Sequence, residues 1–371
     1  MEALAAVLYA ARVPLKVETV EILPPKEGEV LVRMHAAGVC RSDLHVMTGE
    51  NPMPLPVILG HEGAGVVEAI GPGVTSVDCG DHVLPLWRLS CGECFYCRSG
   101  RPALCNVGTE MRFRGTMPDG TTRFRTRSGE PIRHYAGVST FSQLSVIPEK
   151  SLLKIPKDIP LEKAALLGCG VITGVGAVRH AARVTRGSAV AVFGVGGIGL
   201  NIVQAAAQAG ARPVIAIDPV LKKLEIAQQL GATSTILATD GDPVEAVRDL
   251  TGGEGADFCF EAFGSREVVV QAYAATRKAG TCIVVGITGP GTTAPIDLHT
   301  LVYGEKTLRG CLYGSARPRI DLLELIAEYH LGRLQLDPLL TRTYSLRRIN
   351  EAYDDLVRGR LARGVLLPQE G

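Results

Sequence analysis

Two hydrophobic rhythms divide the chain. From Met1 to about Gly168, apolar residues come in short runs such as Val30 to Ala36 and Gly65 to Ile70, broken by Pro-Pro, Gly-Pro-Gly and Cys-Gly-Asp turns. Short β-rich runs between turn residues predict the strands of a small barrel-like domain. The apolar stretch from Met1 to Ala11 carries Glu2 where a secretory leader is basic, and it is expected to be the first strand. From about Gly170, apolar runs alternate with helical spacing: Ala189 to Phe193, Pro213 to Asp218, Ser234 to Leu237, Asp257 to Glu261, Cys282 to Val285, and a last run near Leu308 to Tyr313. That alternation predicts an α/β domain whose doubly wound parallel sheet is covered on both faces. Helices at Leu322 to Leu331 and near Ile349 to Arg358 then return to the first domain. The expected division is 1–170, 171–308 and a return segment 309–371.

Two stretches need a separate reading. Ser188 to Ala211 carries no charge over a length that could span a bilayer. Its glycines from Gly194 to Gly199, followed by Asn201, Gln204 and Gln208 at helical spacing, predict instead a strand, a turn and a half-buried helix. Asn106 to Tyr135 is polar and arginine-rich, with Arg112, Arg114, Arg123, Arg125, Arg127 and Arg133, and reads as a loop whose charge forms a solvated face or a subunit contact.

Charge and length narrow the class. With 39 basic and 38 acidic side chains among 371 residues, no global field recruits nucleic acid or an anionic membrane, and a small neutral substrate is compatible. The length suggests two domains. Ten cysteines could suggest a secreted disulfide scaffold, but the chain is far larger than such scaffolds and six of the ten fall in metal-ligand patterns. A reducing cytoplasm fits better. Of the remaining four, Cys259, Cys282 and Cys311 are expected in buried strands and Cys79 in a loop.

Candidate chemistry gathers first between Cys40 and Glu62, where Cys40-Arg41-Ser42-Asp43-Leu44-His45 precedes Gly60-His61-Glu62-Gly63. A thiolate and an imidazole are ligand types that Zn²⁺ takes, and a catalytic zinc keeps three protein ligands with an open fourth position. Cys169, in Leu167-Gly168-Cys169-Gly170, is the best third ligand. Taken singly, these residues would be buried hydrophobes and a core histidine. A second cluster shifts the balance. Cys91, Cys94, Cys97 and Cys105 follow Cx2Cx2Cx7C, a spacing suited to a closed zinc site of four thiolates.

The glycine run Gly194-Val195-Gly196-Gly197-Ile198-Gly199 follows an apolar strand and opens a helix, so backbone N–H groups there can meet a pyrophosphate. About twenty residues on, Asp218 ends a strand, where a carboxylate accepts from ribose hydroxyls and repels a 2′-phosphate. The cofactor expected is NAD, with Lys222 and Lys223 beside Asp218 able to soften the selectivity.

Cys-Arg-Ser-Asp-x-His at 40 to 45, Gly-His-Glu-Gly-Ala-Gly at 60 to 65, the four-cysteine lobe, Gly-Cys-Gly at 168 to 170 and the glycine run resemble the zinc-dependent medium-chain alcohol dehydrogenases over nearly the whole chain. The resemblance implies a GroES-like catalytic domain and a Rossmann NAD-binding domain, with two zinc ions per subunit, one catalytic and one structural. It implies that the catalytic metal lines the cleft between domains. It also implies hydride transfer from a zinc-bound alcohol to NAD, with the proton leaving through Ser42, the nicotinamide ribose and His45. Asp43 would bond His61. Glu62 would lie behind the zinc as an occasional ligand, Arg41 and Arg363 would bind the pyrophosphate, and Thr173 would pack on the nicotinamide. Trp87, Tyr135, Ala136 and Ile287 would line a channel for a primary alcohol bulkier than ethanol. Long-loop relatives are mostly dimers, so a homodimer is favoured over a tetramer.

Glutathione-dependent formaldehyde dehydrogenases share almost all these motifs, including Met117-Pro118-Asp119-Gly120-Thr121. Their pocket-mouth arginine falls at Thr109 here, leaving Arg112 or Arg114 to substitute. A third reading, a non-catalytic NAD- or zinc-binding protein, has no use for Ser42 and His45.

Overall fold

The computed structural model describes residues 1–370 and divides into two units, Met1–Cys169 with Arg317–Gly371, and Gly170–Ala316. The return to the first unit comes at Arg317 and not at 309. The reason is that Thr307–Gly310 pairs in parallel with Thr276–Val284 and so is the sixth strand of the second unit's sheet.

In the first unit, Glu2–Leu8, Lys16–Ile22, Phe124–Arg125, Pro131–His134 and Val57–Ile58 close a small barrel. A seven-stranded sheet accompanies it, with the long strand Glu29–Val39 pairing Gly63–Ile70, Leu144–Pro148 and Arg363–Leu367. The apolar positions of these strands, among them Val7, Leu8, Val20, Ile22, Leu31 and Ile58, merge with Phe141 into one buried cluster. The strand Glu29–Val39 matters most for function. It delivers the chain to Cys40 and, through the pairing of Ala37 with Gly63, holds the 60–63 turn against it.

The segment between Asn106 and Tyr135 is not a loop. It contains the helix Asn106–Arg114 and two strands of the barrel. Arg123, expected on a solvated face or at a subunit contact, is 1% exposed and pairs with the buried Glu29. Its Nε donates to Glu29 Oε2 at 2.6 Å and its Nη2 to Asp119 Oδ2 at 2.8 Å. A charge-count reading missed this because the partner Glu29 lies 94 residues away.

In the second unit the strands Ser234–Leu237, Val214–Asp218, Val190–Phe193, Ala256–Glu261, Thr276–Val284 and Thr307–Gly310 lie in that order, all parallel. In chain order this is 3-2-1-4-5-6, the arrangement of dinucleotide-binding sheets, and the switch point falls after Phe193. The uncharged 188–211 stretch is the strand Val190–Phe193, a turn and the helix Gly199–Gln208. Asn201 and Gln204 are not on a wet face: both are buried, with Asn201 donating to the Gly197 carbonyl at 2.7 Å and Gln204 to Asn201 Oδ1 at 2.7 Å. Buried amides are tolerated because they bond each other and the glycine turn. Among the described residues, one helical run, Leu161–Ala182, is long and apolar enough to cross a membrane, and 83% of its apolar window is buried inside the protein, as in a core helix. Cys259 and Cys282 are buried neighbours on adjacent strands, Cys311 is buried just past the last strand, and Cys79 is exposed.

Candidate active site and metal centres

The first centre is built where three turns of chain meet in the first unit. Cys40 follows the strand Glu29–Val39 and stands at the N-cap of the helix Arg41–Met47 in an extended conformation. Gly60 has φ +88° and presents its N–H to Asp43 Oδ1 at 3.0 Å. A Cβ there would lie 2.6 Å from the Phe141 ring and 2.7 Å from the Phe141 nitrogen, so only glycine allows the turn that delivers His61. Cys169 comes from the apolar run Leu167–Val171.

Cys40, His61, Glu62 and Cys169, all buried, bring one ligand atom each to within 4.8 Å of one another. His61 Nδ1 donates to Asp43 Oδ1 at 3.1 Å, which leaves Nε2 buried with no partner. A buried imidazole nitrogen with no partner beside two thiols fits a metal ion. The hydrogen bond from Cys169, acting against burial and helped by His61, holds the Cys40 thiol well below its ordinary range. Two thiolates and one imidazole form the donor set of a catalytic zinc with an open position.

Glu62 divides its carboxylate. Oε2 is given to Arg363 in a buried ion pair, while Oε1 has no partner and stands 3.9 Å from His61 Nε2. Arg363, expected at the pyrophosphate, thus has its first partner in Glu62, and its Nε remains buried without one.

The second centre fits zinc on distance. Four thiolates about a tetrahedral zinc, at bonds of about 2.3 Å, stand about 3.8 Å apart. The Cys91–Cys97 and Cys94–Cys105 sulfurs are 3.9 and 4.0 Å apart, and all four lie within 4.8 Å. Backbone N–H groups aim at the sulfurs: Cys94 at Cys91 and Cys91 at Cys105, both at 3.4 Å. The N–H groups of Cys97 and then Asn106 draw the Cys94 thiol down to about 6, while burial first of all lifts Cys105 to about 11.

Ser42 and His45 lie one turn apart on the helix Arg41–Met47, whose first residue is Arg41. Since Cys40 holds the N-cap, Ser42 is not a capping serine. His45 Nδ1 meets Glu50 Oε2 at 2.5 Å. Glu50 escaped the sequence reading, although a carboxylate five residues past a relay histidine is a usable signal. Trp87 and Tyr135 each stand edge-on to the His61 ring at 5.7 Å, and the Arg112 guanidinium lies 5.7 Å from both their ring centres. Arg112 also donates to the Tyr135 hydroxyl at 3.2 Å, and no carboxylate pairs with it among the described residues. Thr109 is occupied by Arg88 at 2.8 Å, and Arg114 by Glu110. Ala136 is buried beside Tyr135.

In the second unit, Gly194 has φ +88° and starts the turn. A Cβ on Gly199 would strike the Gly194 carbonyl, whereas at Gly196 it would meet nothing within 4 Å. The turn is thus closed at Gly199 and open at Gly196, as a phosphate cradle needs. Gly197 gives its carbonyl to Asn201. Asp218 is buried, and its carboxylate accepts from Val195 and Val220 N–H at 3.0 Å each, with Lys223 Nζ 3.9 Å away. It therefore ties the glycine turn to the end of its own strand. Thr173 is buried in the helix Ile172–Gly176, and Ile287 follows the strand Thr276–Val284.

Comparison with known proteins agrees with both units. Residues 26–157 match the alcohol dehydrogenase GroES-like domain and residues 197–328 match the zinc-binding dehydrogenase family. The chain belongs to the zinc-dependent medium-chain alcohol dehydrogenases, oxidoreductases that use NAD, and it carries both the catalytic and the structural zinc site. An S-(hydroxymethyl)glutathione dehydrogenase of Synechocystis sp. is 42% identical over 369 residues, 99% of this chain and 100% of its own length. An NDMA-dependent alcohol dehydrogenase of Amycolatopsis methanolica is 42% identical over 370 residues, 99% of both chains. Benzyl alcohol dehydrogenase from Acinetobacter calcoaceticus superposes with a TM-score of 0.93 at 35% identity over 99% of both chains.

Proposed function

We propose that the protein reversibly oxidises a primary alcohol, bulky or aromatic, to its aldehyde and passes the hydride to NAD. The observation that carries this reading is the pair of rings on His61. Trp87 and Tyr135, edge-on to the ligand imidazole, give an apolar aromatic wall that suits a benzyl-type alcohol better than ethanol. Cys40, His61 and Cys169 would hold the zinc, which when bound supplies a Lewis acid that lowers the pKa of the alcohol hydroxyl. Ser42 would take the proton from the alcohol and His45 would release it to solvent. Glu50 on Nδ1 leaves the other imidazole nitrogen to receive it. Asp218 with the Gly194 to Gly199 turn would seat the adenosine and pyrophosphate, with Arg41, Lys223, Arg363 and Thr173 completing the cofactor site. Ile287 would add to the substrate wall.

Arg112 favours a second reading, oxidation of an S-hydroxymethyl thiol adduct. Its half-buried guanidinium, over both rings and without a carboxylate partner among the described residues, suits an anionic tail. Of Arg112 and Arg114, the two arginines near the position held by Thr109, Arg114 is paired with Glu110. NADH formation with ethanol, benzyl alcohol, and formaldehyde with and without glutathione or another thiol separates the readings. Benzyl alcohol is expected to lead. A flat profile from ethanol to benzyl alcohol removes the aromatic reading, and turnover of formaldehyde only with a thiol installs the second.

A second copy of this chain is the expected partner, as a dimer. The edge strand Thr307–Gly310 is exposed at every position, and Leu298, Val302 and Tyr303 beside it are 69%, 71% and 77% exposed. An open sheet edge next to apolar side chains is a surface that self-association covers. Ten unpaired cysteines suit a reducing cytoplasm.

A further inference from the structure

Behind His61 the first unit holds two buried polar atoms that no hydrogen bond uses. Asp43 is fully buried, and its Oδ1 accepts from both the Gly60 N–H at 3.0 Å and the His61 ring N–H at 3.1 Å. Oδ2 is also 3.1 Å from His61 Nδ1, but that nitrogen carries one proton and gives it to Oδ1, so Oδ2 has no donor. Tyr353, on the helix Ile349–Val357, is 3% exposed, and its hydroxyl likewise has no partner. Both belong to one corner of the unit: the Tyr353 ring stands 6.2 Å from that of Phe141, which packs against Gly60, whose N–H donates to Asp43. Burial first, and next the Asp43 charge ahead of that of Cys40, push the phenol well above its ordinary range.

A phenol donates and a carboxylate accepts, and leaving either buried and unpaired costs about 1–3 kcal/mol. Each is the partner the other lacks. We propose that Tyr353 is a positioning residue for the catalytic metal, its hydroxyl donating to Asp43 Oδ2 to complete a Tyr353–Asp43–His61 chain. The chain fixes His61 in the tautomer that keeps Nδ1 protonated and turns the Nε2 lone pair toward the thiols of Cys40 and Cys169. The inference rests on the zinc reading of that cluster. The ring itself is seated independently, edge-on to Phe141 at 6.2 Å within the apolar cluster, so the hydroxyl can be removed without emptying the core.

The test is zinc release from the purified holoenzyme to a chromogenic chelator, followed for wild type, Tyr353→Phe and Tyr344→Phe, with a thermal melt of each. Tyr344 is a matched control, a buried tyrosine that donates to a different carboxylate, Asp355, at 2.8 Å. Partners that orient ligating groups change metal affinity by about 10- to 100-fold. The expected result is that Tyr353→Phe loses one zinc at least about tenfold more readily while the other zinc is held as in wild type, and that Tyr344→Phe, with a comparable drop in melting temperature from its own lost bond, releases zinc as wild type does. The inference is overturned if Tyr353→Phe releases both ions at the wild-type rate, or if both variants lose zinc alike. A wild-type enzyme holding only one zinc would instead overturn the metal reading beneath it.

Discussion

Acid should destabilise this protein through one histidine that takes no part in catalysis. His134 lies in the barrel strand Pro131–His134, fully buried against Phe124, with its Nε2 accepting the Arg123 backbone N–H at 3.0 Å and its Nδ1 meeting no partner. Burial first, and then the Arg123 guanidinium, lower its pKa from 6.5 to about 3. Between those values the unfolded chain takes up a proton that the folded chain refuses, so stability rises with pH through the window and is complete above it. The loss works out at about 2 kcal/mol near pH 5 and about 3 kcal/mol near pH 4, on the basis of about 1.4 kcal/mol per pKa unit. The assay is chemical denaturation from near-neutral pH downward, comparing wild type with His134→Gln, whose side-chain oxygen can still accept from Arg123. Both proteins lose zinc in acid, so the difference between their profiles isolates the histidine. The variant is expected to lose stability less steeply as pH falls. Parallel profiles would refute the account of His134 as a neutral, desolvated ring.

Other expectations come from the same packing. Arg123→Met should cost about 3–5 kcal/mol, read by denaturation, because it leaves Glu29 charged and buried without its partner. Cys97→Ser should remove one zinc and lower the melting temperature while the catalytic cluster keeps its metal, as metal analysis and calorimetry would report. Asp218→Asn loses the charge and keeps an acceptor for only one of the Val195 and Val220 N–H groups, so the ratio of kcat/KM for NAD over NADP should fall by tenfold or more, about 1.4 kcal/mol.

Much of the site was legible because its chemistry is local in sequence. The Cx2Cx2Cx7C lobe, the Gly194 to Gly199 turn and the Cys40 to His45 helix each carry their spacing within a few residues, and the parallel sheet announced itself through alternating strands and helices. What escaped depended on distant partners. Arg123 looked solvated until Glu29, 94 residues earlier, appeared beside it. The buried pair of Arg363 with Glu62, 301 residues apart, is written in neither local motif. Asn201 and Gln204 look like a polar face on any helical wheel, and only the buried bonds to Gly197 and to each other show otherwise. Arg112 stands out from the other arginines of its segment because it alone is laid over Trp87 and Tyr135 together, a fact of packing that no spacing encodes.

The most direct measurement of the central claim is zinc content per chain together with NADH formation from benzyl alcohol, for wild type and Cys169→Ser. Two metal clusters predict two zinc ions in wild type, and one zinc with turnover lost in the variant while the four-cysteine lobe stays loaded. A Cys169→Ser protein that keeps both ions and wild-type turnover would contradict the assignment of Cys40, His61 and Cys169 as the working metal centre.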